Sequence, residues 1–529
     1  MKATRRFLLG SAAAFLGGCV VPAAGAQPGG RAPEVALTTG RVRGGWSGAQ
    51  AGRQVRQFLG IPYGADTGPR RFLPPQPVAA WSGVREATAY GLASPQGSGG
   101  EQQGEDCLVL NVWAPEPRAG VRLPVLVYIH GGGYSTGSGA SALTHGANLA
   151  ARGDVVVVTL NHRLNVFGHL YLGRVAGDDF ALSGNAGLLD LVLALEWVRD
   201  NAAAFGGDAR NVTLFGQSGG GAKIACLMAT PRAKGLFHRA WTMSGQQVTV
   251  QGPRGAGARA KAVMEHLGVG LDELRTLPVA RLLEALSARD PSLAGSRVYW
   301  GPVLDDALPV HPFWPEAPAL SRDIPMVMGN TREETGSLIA RGDPTVFDLT
   351  WDTLPARLER DMVSDVDVHD AIALYRRLYP ELPPAQVFIG ATSAGRSWRA
   401  QLIEAEARAR QGAPAWVYQL DYPSRGAGGR YGAYHMLDIP LVFANTQADG
   451  ADTGDDDAAR TMAATMSDAL LRFARTGDPN GGGLAVWPRY DLARRETMMF
   501  DVATRVESDP RGGERRFFGV APYIQAGTY

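Results

Sequence analysis

Val212-Thr213-Leu214-Phe215-Gly216-Gln217-Ser218-Gly219-Gly220 runs directly into Gly221-Ala222-Lys223-Ile224-Ala225-Cys226-Leu227-Met228, and the reading of this stretch decides the fold. Residues 212–215 make a short apolar strand and residues 222–228 a helix. Between them the chain must reverse sharply, and the flanking glycines permit a strained serine backbone there. Such a turn presents the Ser218 hydroxyl at a helix N-terminus, where partial positive charge favours a developing anion. The bare G-x-S-x-G pattern is weak evidence in a chain with 68 glycines, and Gly133-Tyr134-Ser135-Thr136-Gly137 matches it too. Ser135 is followed by more Gly and Ser with no immediate helix, so it reads as a loop residue. Ser218 is the candidate nucleophile.

Outward from this turn, the same strand-then-loop pattern recurs. Apolar runs at residues 123–129, 155–160, 240–243, 324–328 and 415–420 end in segments rich in Gly, Asn, Ser or His. Runs of this length bounded by turn signals fit strands buried on both faces. Helical stretches lie between them, the clearest at residues 188–202, where Leu189, Val192, Leu193, Leu195 and Val198 form an apolar stripe. Alternating strand and helix predicts an α/β fold with a large, mostly parallel central sheet and helices on both faces. In such folds reactive residues belong in the loops after the strands' carboxyl ends. Residues 420–433 and 446–458, rich in Gly, Asp and Arg, are predicted to be surface loops.

Composition narrows the function classes. The chain has 529 residues, 45% hydrophobic and 19% charged, which is globular composition. With 52 basic and 51 acidic residues the formal net charge is +1, so no nucleic-acid partner is implied. Cys19, Cys107 and Cys226 are too few for a disulfide framework and fit no zinc module, so no metal is expected. Beyond the N-terminus no continuous apolar window is long enough to span a membrane.

Residues 1–26 read as an export signal, with Lys2, Arg5 and Arg6 ahead of a short apolar stretch and Ala24-Gly25-Ala26 before a cleavage point. The Arg5-Arg6 pair resembles a twin-arginine signal, which implies a periplasmic or extracellular protein. Leu16-Gly17-Gly18-Cys19 also resembles a lipoprotein box, in which Cys19 would carry a lipid anchor. The reading taken is removal of Cys19 with the signal. Residues 27–529 then form one catalytic domain, since no linker or repeat divides them.

An acyl-transfer serine needs donors for the oxyanion, a base and an acid. His130-Gly131-Gly132-Gly133-Tyr134 follows the strand at 123–129, and glycines there let the backbone approach a substrate closely. One well-aimed donor is worth about 3 kcal/mol of barrier. In the strand–elbow–helix architecture the acid and then the histidine follow the serine along the chain. His266, His311, His369 and His435 follow the elbow helix. The first two leave little room for a preceding strand-end acid, and His369 starts an apparent surface helix. His435, in Tyr431-Gly432-Ala433-Tyr434-His435 after the strand at 415–420, is the candidate base. For the acid, Glu333 and Glu334 follow the strand at 324–328, with Asp305 and Asp306 as rivals. The acid must hold the imidazole tautomer and stabilise the imidazolium, and both glutamates satisfy that requirement equally on sequence alone.

These residues resemble the type-B carboxylesterase family of the α/β-hydrolase superfamily, which includes cholinesterases and bacterial para-nitrobenzyl esterases. The resemblance is carried along nearly the whole chain beyond residue 26. Its landmarks are Phe58-Leu59-Gly60-Ile61-Pro62-Tyr63, Arg71-Phe72-Leu73-Pro74-Pro75-Gln76-Pro77, Glu105-Asp106-Cys107-Leu108-Val109-Leu110-Asn111-Val112, Phe205-Gly206-Gly207-Asp208 and Arg475-Thr476-Gly477-Asp478-Pro479-Asn480. It implies Ser218 as nucleophile, Glu334 as acid, His435 as base, and the N–H groups of Gly132, Gly133 and Gly219 as the oxyanion hole. The implied activity is two-step hydrolysis of small to medium, neutral, hydrophobic esters without a cofactor. Two alternatives are an amide or carbamate hydrolase on the same triad and a non-catalytic, cholinesterase-like binding protein. The chain departs from the family at Gln217, usually Glu, and at Gly219, usually Ala. Ser94 replaces a cysteine that many members bond to the counterpart of Cys107, which predicts an unpaired thiol. The 94–107 segment is short and lacks Trp, so no choline-type cation–π site is expected.

Overall fold

The computed structural model describes residues 31–293 and 295–525. The export signal expected over residues 1–26, with Cys19 inside it, lies outside the described residues. Strands β1 (Glu34–Leu37) and β2 (Gly40–Arg43) pair antiparallel, and β3 (Gly45–Gly48) and β4 (Gln54–Pro62) enter the main sheet. β5 (Val84–Glu86) returns to β2 and completes a small three-stranded sheet. The main sheet continues through β6 (Val109–Ala114), β7 (Leu123–Ile129), β8 (Val156–Leu160), β9 (Gly207–Gln217) and β10 (Arg239–Met243). It ends with β11 (Met326–Thr331), β12 (Ala415–Leu420), β13 (Glu496–Phe500) and β14 (Arg505–Ser508). Across this 11-stranded sheet the order is β14-β13-β12-β11-β10-β9-β7-β8-β6-β4-β3. The block from β8 to β13 is parallel, and the strands outside it are antiparallel.

Side chains alternate across the sheet with period two, and both faces are covered, which is why the central strands read as unbroken apolar runs. On one face Val125, Val127, Val158, Leu214 and Met328 pack against Leu188, Leu191, Val192 and Leu195 of helix Ala186–Asn201 and against Ile224 and Leu227 of helix Gly219–Met228. On the other, Leu126, Tyr128, Phe215, Trp241 and Trp416 pack against Met466, Leu470 and Phe473 of helix Asp457–Thr476. The helical run Asp178–Phe205 is long and apolar enough to cross a membrane by composition, but most of it is buried inside this fold.

Where the strands differ from expectation, ladder pairing is the reason. β9 begins at Gly207, ahead of the apolar run, because Gly207 pairs with Leu123 before a register shift. β11 extends to Thr331 because Gly329, Asn330 and Thr331 pair with Tyr418, Gln419 and Leu420. The edge strand β14 carries no apolar run, because Arg505-Val506-Glu507-Ser508 is short and none of its residues is buried.

Two helical excursions rise from the carboxyl ends of the sheet, each with its own apolar core. One follows β10, with Ala260, Val263, Leu267, Leu274 and Leu282 at its centre. The other follows β11, with Leu354, Leu358, Tyr375, Phe388 and Ile389. Segments 420–433 and 446–458 are loops, but they are not merely superficial. Tyr422 is fully buried and donates to the Thr453 carbonyl at 3.1 Å, and Arg425 N–H donates to the Asp452 carbonyl at 2.8 Å. This mutual tie fixes the path of the chain on its way to His435.

Candidate active site

Ser218 sits between β9 and helix Gly219–Met228 with φ 55° and ψ −126°. A β-carbon is disfavoured at this positive φ, a strain on the order of 1–3 kcal/mol that the surroundings must hold in place. The Ser218 N–H donates to the Met243 carbonyl at the end of β10 (2.7 Å), and Ala222 N–H donates to the Ser218 carbonyl (3.1 Å). The turn is therefore locked to both the neighbouring strand and its own helix, with the half-buried side chain left at the floor of a cavity.

The loop after β7 comes up beside it. Gly132 and Gly133 have φ of 86° and 61°, conformations open to glycine at no steric cost. Among the described residues, the N–H groups of Gly132, Gly133 and Gly219 have no recorded acceptor. Three backbone donors without a partner beside one serine are what an oxyanion would need. Ser135 lies in the same turn, its N–H donating to the Gly132 carbonyl at 3.1 Å, and it lines the cavity as a loop residue.

Gly219 is closely constrained. A β-carbon built there would collide with the carbonyl of Gly133. The loop thus packs on the Ser218 turn closer than an alanine would allow. Gly219→Ala is expected to push residues 132–133 away and lower kcat roughly 10- to 100-fold, measured by steady-state hydrolysis of a p-nitrophenyl ester.

His435 and Glu334 meet across 101 positions of sequence. The Glu334 carboxylate Oε2 is in direct hydrogen-bond contact with His435 Nδ1. Its other oxygen accepts from Asn330 Nδ2 and Thr331 N–H, both at 2.9 Å. Burial works to raise Glu334, but the charge and hydrogen bond of His435, with Asn330, overrule it and hold the carboxyl below its ordinary value. Ser337 donates to the His435 carbonyl at 3.1 Å.

Glu333 goes elsewhere. Its carboxylate accepts from Ala433 N–H at 2.9 Å, and its own N–H donates to the Ala433 carbonyl at 3.0 Å. It props the loop that delivers His435, and burial pushes it up to about 7. Asp305 caps its own turn, accepting from Ala307 and Leu308 N–H, and Asp306 makes no recorded contact with His435. Among the other histidines, His266 contacts Ser287, His311 accepts from Val250 N–H, and His369 is exposed at the start of helix Val368–Leu378.

Two residues near His435 carry no sequence signal of their placement there. Gln217 Nε2 donates to His435 Nε2 at 3.2 Å, which requires a lone pair on that nitrogen and so agrees with an Nδ1–H shared with Glu334. The Ser218 hydroxyl has no recorded protein partner among the described residues, so in this resting arrangement the amide stands at the ring atom a serine would use. Asp438 lies behind the pair, accepting from the Tyr418 hydroxyl at 2.9 Å, and burial with the Glu334 charge pushes it up to about 7.

The cavity above Ser218 and His435 has a volume of about 910 Å³. Tyr134, Val298, Tyr299, Trp300, Leu338 and Tyr523 give it aromatic and aliphatic walls drawn from both helical excursions and the C-terminal segment. Cys107 and Cys226 are both free and buried. Burial pushes the Cys107 thiol well up. Among the described residues no cluster of three or more His, Cys, Asp or Glu is arranged to hold a metal ion.

A family model described as the carboxylesterase family matches residues 31–376 and 396–518. The chain is 36% identical to the para-nitrobenzyl esterase of Bacillus subtilis over 484 residues, covering 87% of this chain and 94% of that one. It is 34% identical to a phenmedipham hydrolase of Pseudarthrobacter oxydans, covering 82% and 89%. Among solved structures, a carboxylesterase of Geobacillus stearothermophilus superposes with a TM-score of 0.79 at 37% identity, covering 92% of this chain and 99% of that one.

Proposed function

The chain belongs to the carboxylesterase family, with the α/β-hydrolase fold and carboxylic ester hydrolase activity, and on that premise we propose that Ser218, His435 and Glu334 are its catalytic triad. His435 removes the Ser218 proton as the hydroxyl oxygen attacks the ester carbonyl. The N–H groups of Gly132, Gly133 and Gly219 receive the oxyanion. The alcohol leaves with the proton returned by His435, and water activated by the same ring then releases the acid from the acyl-enzyme. Glu334 fixes the tautomer and stabilises the imidazolium. The observation that carries this reading is the Glu334 carboxylate on Nδ1 of a ring whose Nε2 is turned to the nucleophile turn.

The aromatic and aliphatic cavity walls support small to medium, neutral, hydrophobic esters as substrates. With an export signal read at residues 1–26, the reaction belongs outside the cytoplasm, and residues 27–529 act as one catalytic domain. A fluorophosphonate probe is expected to label Ser218 stoichiometrically, and matched p-nitrophenyl esters to turn over far faster than the anilides. A folded protein that resists the probe, or prefers the anilide, overturns the proposal.

A further inference from the structure

One buried charge beside this machinery has no task in the reaction just described. Lys223, on helix Gly219–Met228, is 1% exposed. Its Nζ has one recorded hydrogen bond, donating to the His130 carbonyl at 3.2 Å, and lies 5.5 Å from the centre of the Tyr134 ring. Among the described residues no carboxylate pairs with it. A buried ammonium without a counter-ion is expensive, so the fold retains it at a cost to stability.

The groups packed around it leave the positive charge on this one side chain. His130 ends β7, and the segment after β8 brings in His162, Arg163 and His169. The His130 and His162 rings stack with centres 4.8 Å apart, and Nε2 of all three histidines lacks a partner among the described residues. Burial first, and then the Lys223 charge, push His130 down to about 3 and His162 well down, and burial pushes His169 down to about 3. These rings are neutral. Arg163 is matched by Asp190 at 2.6 Å. Burial pushes Cys226 up to about 12, and Glu404, from helix Arg399–Arg410, up to about 8, so neither supplies a negative charge near neutrality. Tyr134 is pushed up as well.

The contact lies directly behind the loop of unpartnered donors. His130 precedes Gly131, and its Nδ1 is 2.9 Å from the Gly131 carbonyl. We propose that Lys223 is a positioning residue for the oxyanion hole: its ammonium, anchored on the His130 carbonyl, holds residues 131–133 against the nucleophile turn and adds positive potential behind their N–H groups. In a low-dielectric interior such a potential acts strongly on charge that develops only in the transition state. The proposal rests on the acyl-transfer reading above.

Burial pushes Lys223 down to about 7, so the ammonium is present below that pH and lost above it. In the parent enzyme kcat is expected to decline on the alkaline side near pH 7. Lys223→Met is expected to lower kcat 10- to 100-fold with KM within about threefold, to lose that alkaline limb, and to melt at or above the parent's Tm. Unchanged kcat in a folded variant overturns the proposal, as does a parent kcat profile with no alkaline decline, a measurement that needs no variant. Failure of the parent to take the fluorophosphonate at Ser218 would instead sink the acyl-transfer reading itself.

Discussion

Ser218→Ala is expected to lower kcat roughly 10⁶-fold on any ester the protein turns over, leaving only what bound donors contribute. The variant should fold, because the turn is held by backbone contacts: Ser218 N–H to the Met243 carbonyl and Ala222 N–H to the Ser218 carbonyl. Its stability should change little, since alanine keeps a β-carbon at φ 55°. Ser218→Gly separates the two roles of the position. It is expected to be equally inactive yet more stable than the alanine variant, because glycine relieves a strain on the order of 1–3 kcal/mol. Thermal unfolding of both variants beside single-turnover kinetics checks this. Residual turnover within tenfold of the parent would mean that the nucleophile lies elsewhere.

The second large effect distinguishes two adjacent carboxylates. Glu334→Gln is expected to lower kcat about 10⁴-fold, since an amide presents the wrong partner to Nδ1 and no longer stabilises the imidazolium. Glu333→Gln should stay within a few-fold of the parent, because a glutamine oxygen can still accept from Ala433 N–H. Their effects on stability also differ in sign. Glu334 is held below its ordinary value, so its contribution is present above that value and fades as pH falls through the lowered one. Glu333 is raised to about 7, so the fold prefers its proton and loses stability as pH rises from the ordinary carboxyl range through about 7. Glu333→Gln, a mimic of the protonated form, should therefore gain Tm relative to the parent at pH 8 and show no gain at pH 5. Steady-state kinetics at pH 8 and melts at both pH values read out the pair. A Glu333→Gln loss as large as that of Glu334→Gln would refute the assignment.

Much of the candidate site was legible because its signals are local. The elbow is a strand, a glycine-flanked serine and a helix within seventeen residues of continuous sequence (212–228), and the glycines at 131–133 follow a strand that begins and ends where its apolar run does. The chain order Ser218, Glu334, His435 follows from the parallel sheet, whose strand ends deliver these residues in turn from β9, β11 and β12. Family resemblance points to Glu334, where residue chemistry alone leaves the two glutamates equal.

The tertiary structure decided everything that depends on distance across the chain. Glu333 and Glu334 separate into a loop prop and a ring partner because β11 runs on through Thr331, paired with β12, which sets which of the two faces His435. Gln217 reaches His435 from 218 positions away, and Lys223 reaches back to His130 from another element. No periodicity encodes such contacts, because they arise where separate strand ends and loops converge. The sequence alone determined which chemistry the protein carries; packing across the sheet's carboxyl edge decided which neighbours orient and charge it.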